Sequence, residues 1–306
     1  MALRTTVAFF ALVLGLSVTV SSQSSSVRTV EIVSEPKAIV WIDDVRYGTT
    51  GDDGKLVVKL IGAARASARV RANGFKEATL PIAPTATTVN VALSKTTDEA
   101  ELAFQEAERL TTIDRPKAAE AYRRALKLRP NYPEANVGLA RTLAEQGGIE
   151  EAFRAINAAI KQRPVYPEAA AVKGRLLKDT GEEARAIAEF KRAITQGRGR
   201  QPEAHTGLGM LFQERAETKI ADGDVVGGER DYEEAAKNFT AAIKQIGISP
   251  DAGTIYQLLG RILEHQKKYK EAIALYQEFL DRFPDAVEAP AVRSFITQLQ
   301  IQLDEQ

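Results

Sequence analysis

A helix–turn–helix unit recurs along this chain at a fixed spacing, and this repetition constrains the fold more than any other feature. Between residues 133 and 164, apolar residues fall at helical spacing on both sides of a break at Gly147 and Gly148. The stretch KLRPNYPEA at 127–135 returns as KQRPVYPEA at 161–169, an offset of 34 residues. Since one such pair of helices cannot bury its apolar face alone, the period predicts a stack of antiparallel helix pairs.

The last copy of the unit, at 254–284, has the most regular spacing. It fits the pattern L-G-x-x-L … A-x-x-x-Y … P through Leu259, Gly260, Leu263, Ala272, Tyr276 and Pro284. In this period and pattern the chain resembles the tetratricopeptide repeat (TPR) family over about residues 98–306. The resemblance implies an all-α solenoid whose work is to hold partner proteins.

The size of certain residues indicates how the helices pack. Small residues are expected where the two helices of one repeat cross. They are Ala140, Gly174, Gly209 and Gly260 on the first helices, and Ala152, Ala186, Ala235 and Ala272 on the second helices. Large residues are expected to fill the space between neighbouring repeats, and these are Ile156, Phe190, Phe239 and Tyr276.

The repeats divide the helical part of the chain into five units and a cap. Five repeats are predicted over residues 98–284, and residues 285–306 are predicted to form a helix that caps the last apolar face. The fourth repeat carries an insertion of 14 residues near 214–231. We expect this insertion to lengthen both helices by about two turns, with the bend at 222–224 or at 227–228.

The N-terminus has the features of a secretory signal peptide over residues 1–22. Arg4 precedes an apolar run at 7–20, and a small residue, Ser22, follows it. This run is shorter than the roughly 20 apolar residues of a spanning helix, although an uncleaved membrane anchor remains the alternative. Residues 23–27 are interpreted as a spacer. We therefore expect an exported protein, periplasmic or extracellular and associated with the cell envelope.

Residues 28–94 have a different pattern, with short β-branched runs between turn signals, and this predicts a small β sandwich. The order of residues is similar to that of the PEGA domain family, whose pattern runs V-x-S-x-P-x-x-A-x-V-x-I-D, then G-T and later G-[YF]. The matching residues are Ser34, Pro36, Ala38, Val40, Ile42, Asp43, Gly48, Thr49, Gly74 and Phe75. Lys37 and Asp44 replace glycines of the pattern, and Thr50 with Gly51 replaces Thr-Pro. The resemblance implies an extracytoplasmic sandwich without catalytic residues.

Two expectations concern the faces of this sandwich. In RASARVRA, the arginines Arg65, Arg69 and Arg71 alternate with apolar residues, so we expect the arginines to face solvent. Trp41 lies within a predicted strand, and we expect it in the core.

Composition and motifs give no indication of catalysis. The 41 Lys and Arg balance the 41 Asp and Glu, so bulk charge predicts no nucleic-acid or anionic-membrane partner. The absence of Cys excludes disulfides, zinc-thiolate sites and a cysteine nucleophile. His205 and His265 lie in separate repeats, and no phosphate-binding glycine motif occurs. We expect no catalytic residues, no metal site and no cofactor.

The candidate binding residues lie on the first helices, which line the concave side of such a solenoid. Arg141, Arg175, Met210 and Arg261 each follow the small residue of their repeat, and Glu145, Asp179, Glu214 and His265 come four positions later. The functional interpretation is a groove that grips an extended peptide or an acidic partner through forked guanidinium bonds. The alternative interpretation is ordinary pairing of charges on solvated helix faces.

Together these features predict a multi-domain chain, a small all-β sandwich followed by an all-α TPR solenoid. The function that they favour is a non-catalytic scaffold in the cell envelope that binds a partner protein or peptide. The alternative is that the sandwich binds a cell-surface polymer (glycan) through Trp41, Tyr47 or Phe75, with the array as a spacer.

Overall fold

A computed structural model describes residues 27–61, 66–246 and 252–305. The predicted signal peptide, and the predicted spacer up to residue 26, lie outside the described residues. Among the described helices, none is both long and apolar enough to span a lipid bilayer.

The N-terminal part is a two-sheet sandwich, which we call the β module (described residues 27–94). Its strands are β1 (Val27–Val33), β2 (Ile39–Ile42), β3 (Val45–Thr49), β4 (Lys55–Ile61), β5 (Ala66–Arg71), β6 (Ala78–Ile82) and β7 (Thr88–Asn90). One sheet has the strand order β4-β1-β7 and the other β3-β2-β5-β6. All pairs are antiparallel except β1 with β7. The inner faces of the two sheets form the core, which includes Val30, Ile32, Val40, Ile42, Val58, Val70 and Ile82.

A tight hairpin joins β2 to β3 and directs two carboxylates away from the sandwich core. Asp43 and Asp44, at the centre of the turn, have φ angles of 49° and 66°. Positive φ at both central residues is the geometry that matches the twist of a two-residue hairpin, and Asp and Asn tolerate it. The Asp43 carboxylate also accepts a hydrogen bond from the Ser67 backbone N–H, 2.9 Å, which fixes its position.

The rest of the described chain is helical. The helices are α1 (Glu99–Leu110), α2 (Arg115–Leu128), α3 (Pro133–Glu145), α4 (Ile149–Gln162), α5 (Pro167–Asp179), α6 (Glu183–Gln196), α7 (Pro202–Ala221), α8 (Val225–Gln245), α9 (Ala252–His265), α10 (Tyr269–Arg282) and α11 (Ala289–Asp304). The first ten form five antiparallel pairs, which we number repeats 1 to 5, and α11 packs on α10. The predicted fold class, a small sandwich followed by a helical solenoid, is confirmed.

The stack of helix pairs curves, and the first helices lie on the inner side. Helix α1 contacts α3, α3 contacts α5, and α5 contacts α7, whereas each second helix contacts the first helix of the next repeat. A solenoid with such direct contacts between first helices presents them on its concave face. The residues predicted to line a groove are all on these first helices.

Aromatic rings that lie directly on glycines hold the repeats together. The Phe190 ring of α6 lies between two glycines, so a Cβ added at Gly174 of α5 or Gly207 of α7 would come 2.7 or 2.3 Å from ring atoms. Gly174 belongs to the same repeat as Phe190, and Gly207 belongs to the next one. In the same way, Tyr276 lies on Gly260. These contacts require residues without a side chain, because interiors are close-packed.

Repeat 4 accommodates its additional residues by extending both helices. Helices α7 and α8 have 20 and 21 residues, against 13 and 14 in α3 and α4, so each is about two turns longer. The bend is at 222–224, where Gly223 has a φ of 90°. Asp224 starts α8 by accepting a hydrogen bond from the Gly227 N–H, 2.9 Å.

The connection between the β module and α1 is held by hydrogen bonds. The buried side chain of Gln105 accepts a bond from the Gly74 N–H and donates one to the Phe75 carbonyl, both 2.8 Å. The Thr96 N–H in turn donates to the Gly74 carbonyl, 2.9 Å, and Asp98 caps α1. The residues between the β module and α1 are therefore part of the joint, and repeat 1 is attached firmly to the β module.

The structure contradicts the expectation that the arginines of RASARVRA face solvent for Arg69 and Arg71, whose side chains are mostly buried, whereas Arg65 lies outside the described residues. Arg71 is only 7% exposed and lies 4.6 Å from the centre of the Phe104 ring of α1. It donates hydrogen bonds to Glu77 of the β module and to Glu108 of α1. Burial raises the pKa of the Glu108 carboxyl, and the charge of Arg71 opposes this effect. The second face of the sheet is turned toward the helical array, and α1 covers Arg71, which strand alternation alone cannot reveal.

The expectation that Trp41 lies in the sandwich core was also wrong. Along β2 the buried residues are Val40 and Ile42, so Trp41 projects from the opposite face. Its ring lies 4.2 Å from the Arg69 guanidinium and 5.1 Å from that of Arg71. Cation–π contacts of this kind hold the two arginines on the sheet face that meets the array.

The glycine contacts generate a first prediction. Gly207→Ala should lower the free energy of unfolding by about 1–3 kcal/mol, because the Phe190 ring is confined by Gly174 and cannot move aside. Gly253→Ala is the control, since Gly253 is also a helical glycine but a Cβ added there would come no closer than 3.4 Å to its nearest neighbour, the Glu288 carboxylate. The control should be neutral or stabilising by up to about 1 kcal/mol. Urea unfolding measures both, and equal midpoints would contradict this account of packing.

The buried arginine generates a second prediction. Arg71→Met keeps the volume of the side chain but leaves Glu77 and Glu108 without their shared partner. The free energy of unfolding should fall by about 3 kcal/mol, the lower end for a broken buried pair, because both carboxylates retain some contact with water. Arg185→Met removes an exposed arginine paired to Glu182 and should cost only about 0–1 kcal/mol. Similar losses in the two variants, measured by urea unfolding, would show that Arg71 contributes no more than a surface charge.

Candidate functional site

A large concavity lies between the β module and the concave side of repeats 1 to 3. It is a cleft of about 1540 Å³, which we call the composite cleft. One wall consists of β2, β3 and β5 with the hairpin at Asp43. The other consists of α1, α3, the start of α5 and the loop at 196–201. Because the two modules meet through long polar side chains, they leave this space between them unfilled.

The two walls meet again at the far edge of the cleft. Arg200, in the loop after α6, forms an ion pair with Asp43 of the β2–β3 hairpin. The Arg200 side chain is 53% exposed, so this contact is a weak one. The cleft is thus closed firmly at α1, through Gln105 and Arg71, and loosely at Arg200.

Of the eight predicted groove residues, Arg141 and Glu145 line the composite cleft. Arg141 donates two bonds to the Glu203 carboxylate, 2.7 and 2.5 Å, and a third to Glu168, 3.3 Å. This forked geometry joins three successive repeats, because Glu168 begins α5 and Glu203 begins α7. The charge of Arg141 is already matched by two carboxylates, and the partners belong to other repeats rather than to its own helix.

Glu145, Arg175 and Asp179 form a looser group on the concave face. Glu145 accepts a bond from Nε of Arg115, 2.7 Å. Arg175 lies 4.0 Å from both Glu145 and Asp179, and its side chain is 47% exposed. The contact between Arg175 and Asp179 is the i,i+4 pair that the alternative interpretation describes. Arg175 nevertheless keeps most of its donors available, since neither contact is short.

The remaining four predicted residues lie outside the composite cleft. Glu214 pairs with Lys178, 2.8 Å, Met210 is partly exposed, and Arg261 is exposed. His265 lies 3.1 Å from Glu229, and its ring is tilted against the Tyr232 ring with the ring centres 4.6 Å apart. These residues follow the concave face into repeats 4 and 5, and the structure does not bring them together with Arg141.

The cleft has a net positive charge, and the arginines responsible for it are not among the predicted groove residues. Its lining contains ten Lys and Arg and seven Asp and Glu. Each of the seven carboxylates has an ion pair. Three of the lining arginines, Arg46, Arg109 and Arg198, are exposed and have no ion pair within the described ranges. The arginines without an ion pair therefore belong to both walls of the cleft.

Sequence patterns held some indication of these residues. The GRGR stretch at 197–200 places two arginines in one loop, and the alternating arginines of β5 mark a charged sheet face. Neither pattern shows that the face and the loop meet. Within the described residues, no group of His, Asp and Glu could hold a metal ion.

Comparisons with known proteins concern the helical part. Residues 114–176 and 222–287 each match a sequence model described as tetratricopeptide repeat. No curated protein matches this sequence. Among solved structures, yeast Tom70 is similar with a TM-score of 0.53 at 15% identity, over 68% of this chain and 41% of Tom70. A thermophilic TPR protein of Thermus thermophilus has a TM-score of 0.48 at 18% identity, over 66% of this chain and 99% of that chain.

At these identities the similarity to Tom70 concerns the fold alone, and the chain spans less than half of Tom70. The matched residues 114–176 cover α2 to most of α5, and residues 222–287 cover α8 to the end of repeat 5. Both fall within the helix pairs described above. The β module lies outside both matches. The helical solenoid that follows the β sandwich therefore includes two stretches, 114–176 and 222–287, that are similar to tetratricopeptide repeats.

Proposed function

We propose that this protein is an exported, non-catalytic scaffold that binds a partner protein or peptide in the cell envelope, on the concave side of its repeats. The repeats support a scaffold that binds proteins. The export and the location in the envelope come from the N-terminal sequence. The main support for the position of the binding site is the composite cleft, whose walls are rich in arginine and carboxylate side chains.

The size and lining of the cleft favour a polypeptide over a small molecule. Its volume of about 1540 Å³ exceeds the roughly 300–1,000 Å³ that is usual for small-molecule pockets. Most of the residues that line it are polar or charged, whereas small-molecule sites are lined mainly by apolar residues. A protein segment can use such a surface along its length, through backbone and side-chain hydrogen bonds.

No observation favours glycan binding by the β module. Sugar-binding surfaces of this kind would need an exposed aromatic ring. Trp41 is covered by the Arg69 and Arg71 guanidiniums, and Tyr47 and Phe75 pack partly buried against the sandwich core. Burial also raises the pKa of the Tyr47 hydroxyl. We therefore keep the scaffold as the proposed function.

Site-specific crosslinking tests the position of the partner. A photo-crosslinking benzoylphenylalanine placed at Arg175 or Met210, on the concave first helices, should capture one protein from intact cells, identified by mass spectrometry. The same residue placed at Arg154 of α4 or Lys191 of α6 is the control, because both are exposed on second helices. Capture of the same protein from the control positions, or from these alone, would contradict binding on the concave side.

The proposed export has a separate test. Protein recovered from the envelope or the medium should begin at about Gln23, because a signal peptidase cuts after small residues such as Ser22. N-terminal sequencing and intact mass measure this directly. A full-length chain in the membrane fraction would indicate an uncleaved anchor, and a full-length chain in the cytoplasm would contradict export.

A further inference from the structure

We infer that the β module supplies one wall of the binding site, and that the composite cleft takes an extended acidic segment of the partner protein. This inference rests on the proposed function and deepens it, because it names the surface and the chemistry of the segment. The inference depends on residues of both modules that line one cleft. Trp41 and Arg46 belong to the β module, whereas Arg109 belongs to α1 and Arg198 to the loop after α6.

The first step is that the β module is fixed in place over the concave face. Gln105 of α1 holds Gly74 and Phe75 through two bonds of 2.8 Å. Arg71 is buried between the Trp41 and Phe104 rings and pairs with Glu108 of α1. A partner that enters the groove at repeats 1 to 3 must therefore meet the β module as well as the first helices.

The second step is the charge of the cleft. All seven lining carboxylates are paired, whereas Arg46, Arg109 and Arg198 have no ion pair within the part of the chain that the structure describes. An acidic segment would meet guanidinium groups that have no carboxylate within ion-pair distance. A basic segment would meet only carboxylates that are already bound. Charge complementarity of this kind selects partners and speeds their association.

The third step is the arrangement of these charges on the walls. Arg46 is on β3, Arg109 is near the end of α1, and Arg198 is in the loop that closes the far edge. Charges on separate elements along one cleft suit carboxylates spaced along an extended chain rather than one compact anion. Val165, which is 68% exposed on the same lining, offers an apolar contact beside them.

The single tryptophan of the chain reports directly on this cleft, since Trp41 is part of its lining. The probe is a labelled peptide that alternates glutamate with alanine, and a lysine–alanine peptide of the same length is its counterpart. We expect the acidic peptide to bind the purified full chain and to change Trp41 fluorescence. The basic peptide should do neither. Equal binding of the two peptides would overturn the inference.

Paired variants then test both walls. Arg46→Ala on the β module and Arg109→Ala on α1 should each weaken binding of the acidic peptide, and the double variant should weaken it by about tenfold or more. The matched control is Arg230→Ala with Arg293→Ala. It removes two exposed arginines that have no ion pair within the described residues and do not line the cleft. An equal loss in the control pair would show attraction by overall charge and would overturn the site.

The outcomes separate this inference from the proposed function. If crosslinking from Arg175 captures a partner but Arg46→Ala has no effect and Trp41 fluorescence does not change, the partner binds the array alone and the composite site is wrong. If the partner is captured but the acidic peptide does not bind, the chemistry assigned to the cleft is wrong. Tighter binding of polygalacturonate than of the acidic peptide would assign the cleft to a polysaccharide and overturn the inference.

Discussion

The contact between an aromatic ring and a glycine backbone sets the geometry on which the rest of the structure depends. Phe190 lies between Gly174 and Gly207, and Tyr276 lies on Gly260. Because no side chain separates ring from backbone, helices of one repeat and of the next approach closely. This spacing determines how the first helices follow one another along the concave face. The bond from Arg141 to Glu203, which spans three repeats, requires that same spacing.

The repeated part of the fold could be predicted from sequence, because residues that recur at a fixed period occupy equivalent positions and pack against one another in the same way. The period of 34 residues, the small residues at the helix crossings and the stretched fourth copy all follow from one pattern. Strand alternation is less informative for the β module. Alternation places Val40 and Ile42 on one face of the sheet and Trp41 on the other, but it does not predict which face another module contacts. The partner of Arg71, Glu108, lies 37 residues further along the chain, in an element with a different period.

The candidate site could be predicted only in part for a related reason. The pairing rule for a helix joins charges four residues apart, and Arg175 with Asp179 fits that rule. Arg141 instead reaches Glu168 and Glu203, which are 27 and 62 residues away. Both carboxylates belong to the recurring Pro-Glu-Ala sequence that starts the first helices. Comparison of each first helix with the Pro-Glu-Ala starts of the next two repeats would find them, whereas the unpaired arginines of the cleft depend on the position of the β module.

The placement of the β module also explains why a cleft exists. Close packing of its outer sheet face against α3 and α5 would have filled the concave side, but the two modules meet through Arg, Glu and Gln side chains near α1. Contacts of this polar kind are typical of interfaces between domains of one chain. They hold the module at one edge, leave Arg200 and Asp43 as a weak closure at the other, and keep the arginine-lined space between them open. The same interface that attaches the module therefore forms the surface that can receive a partner.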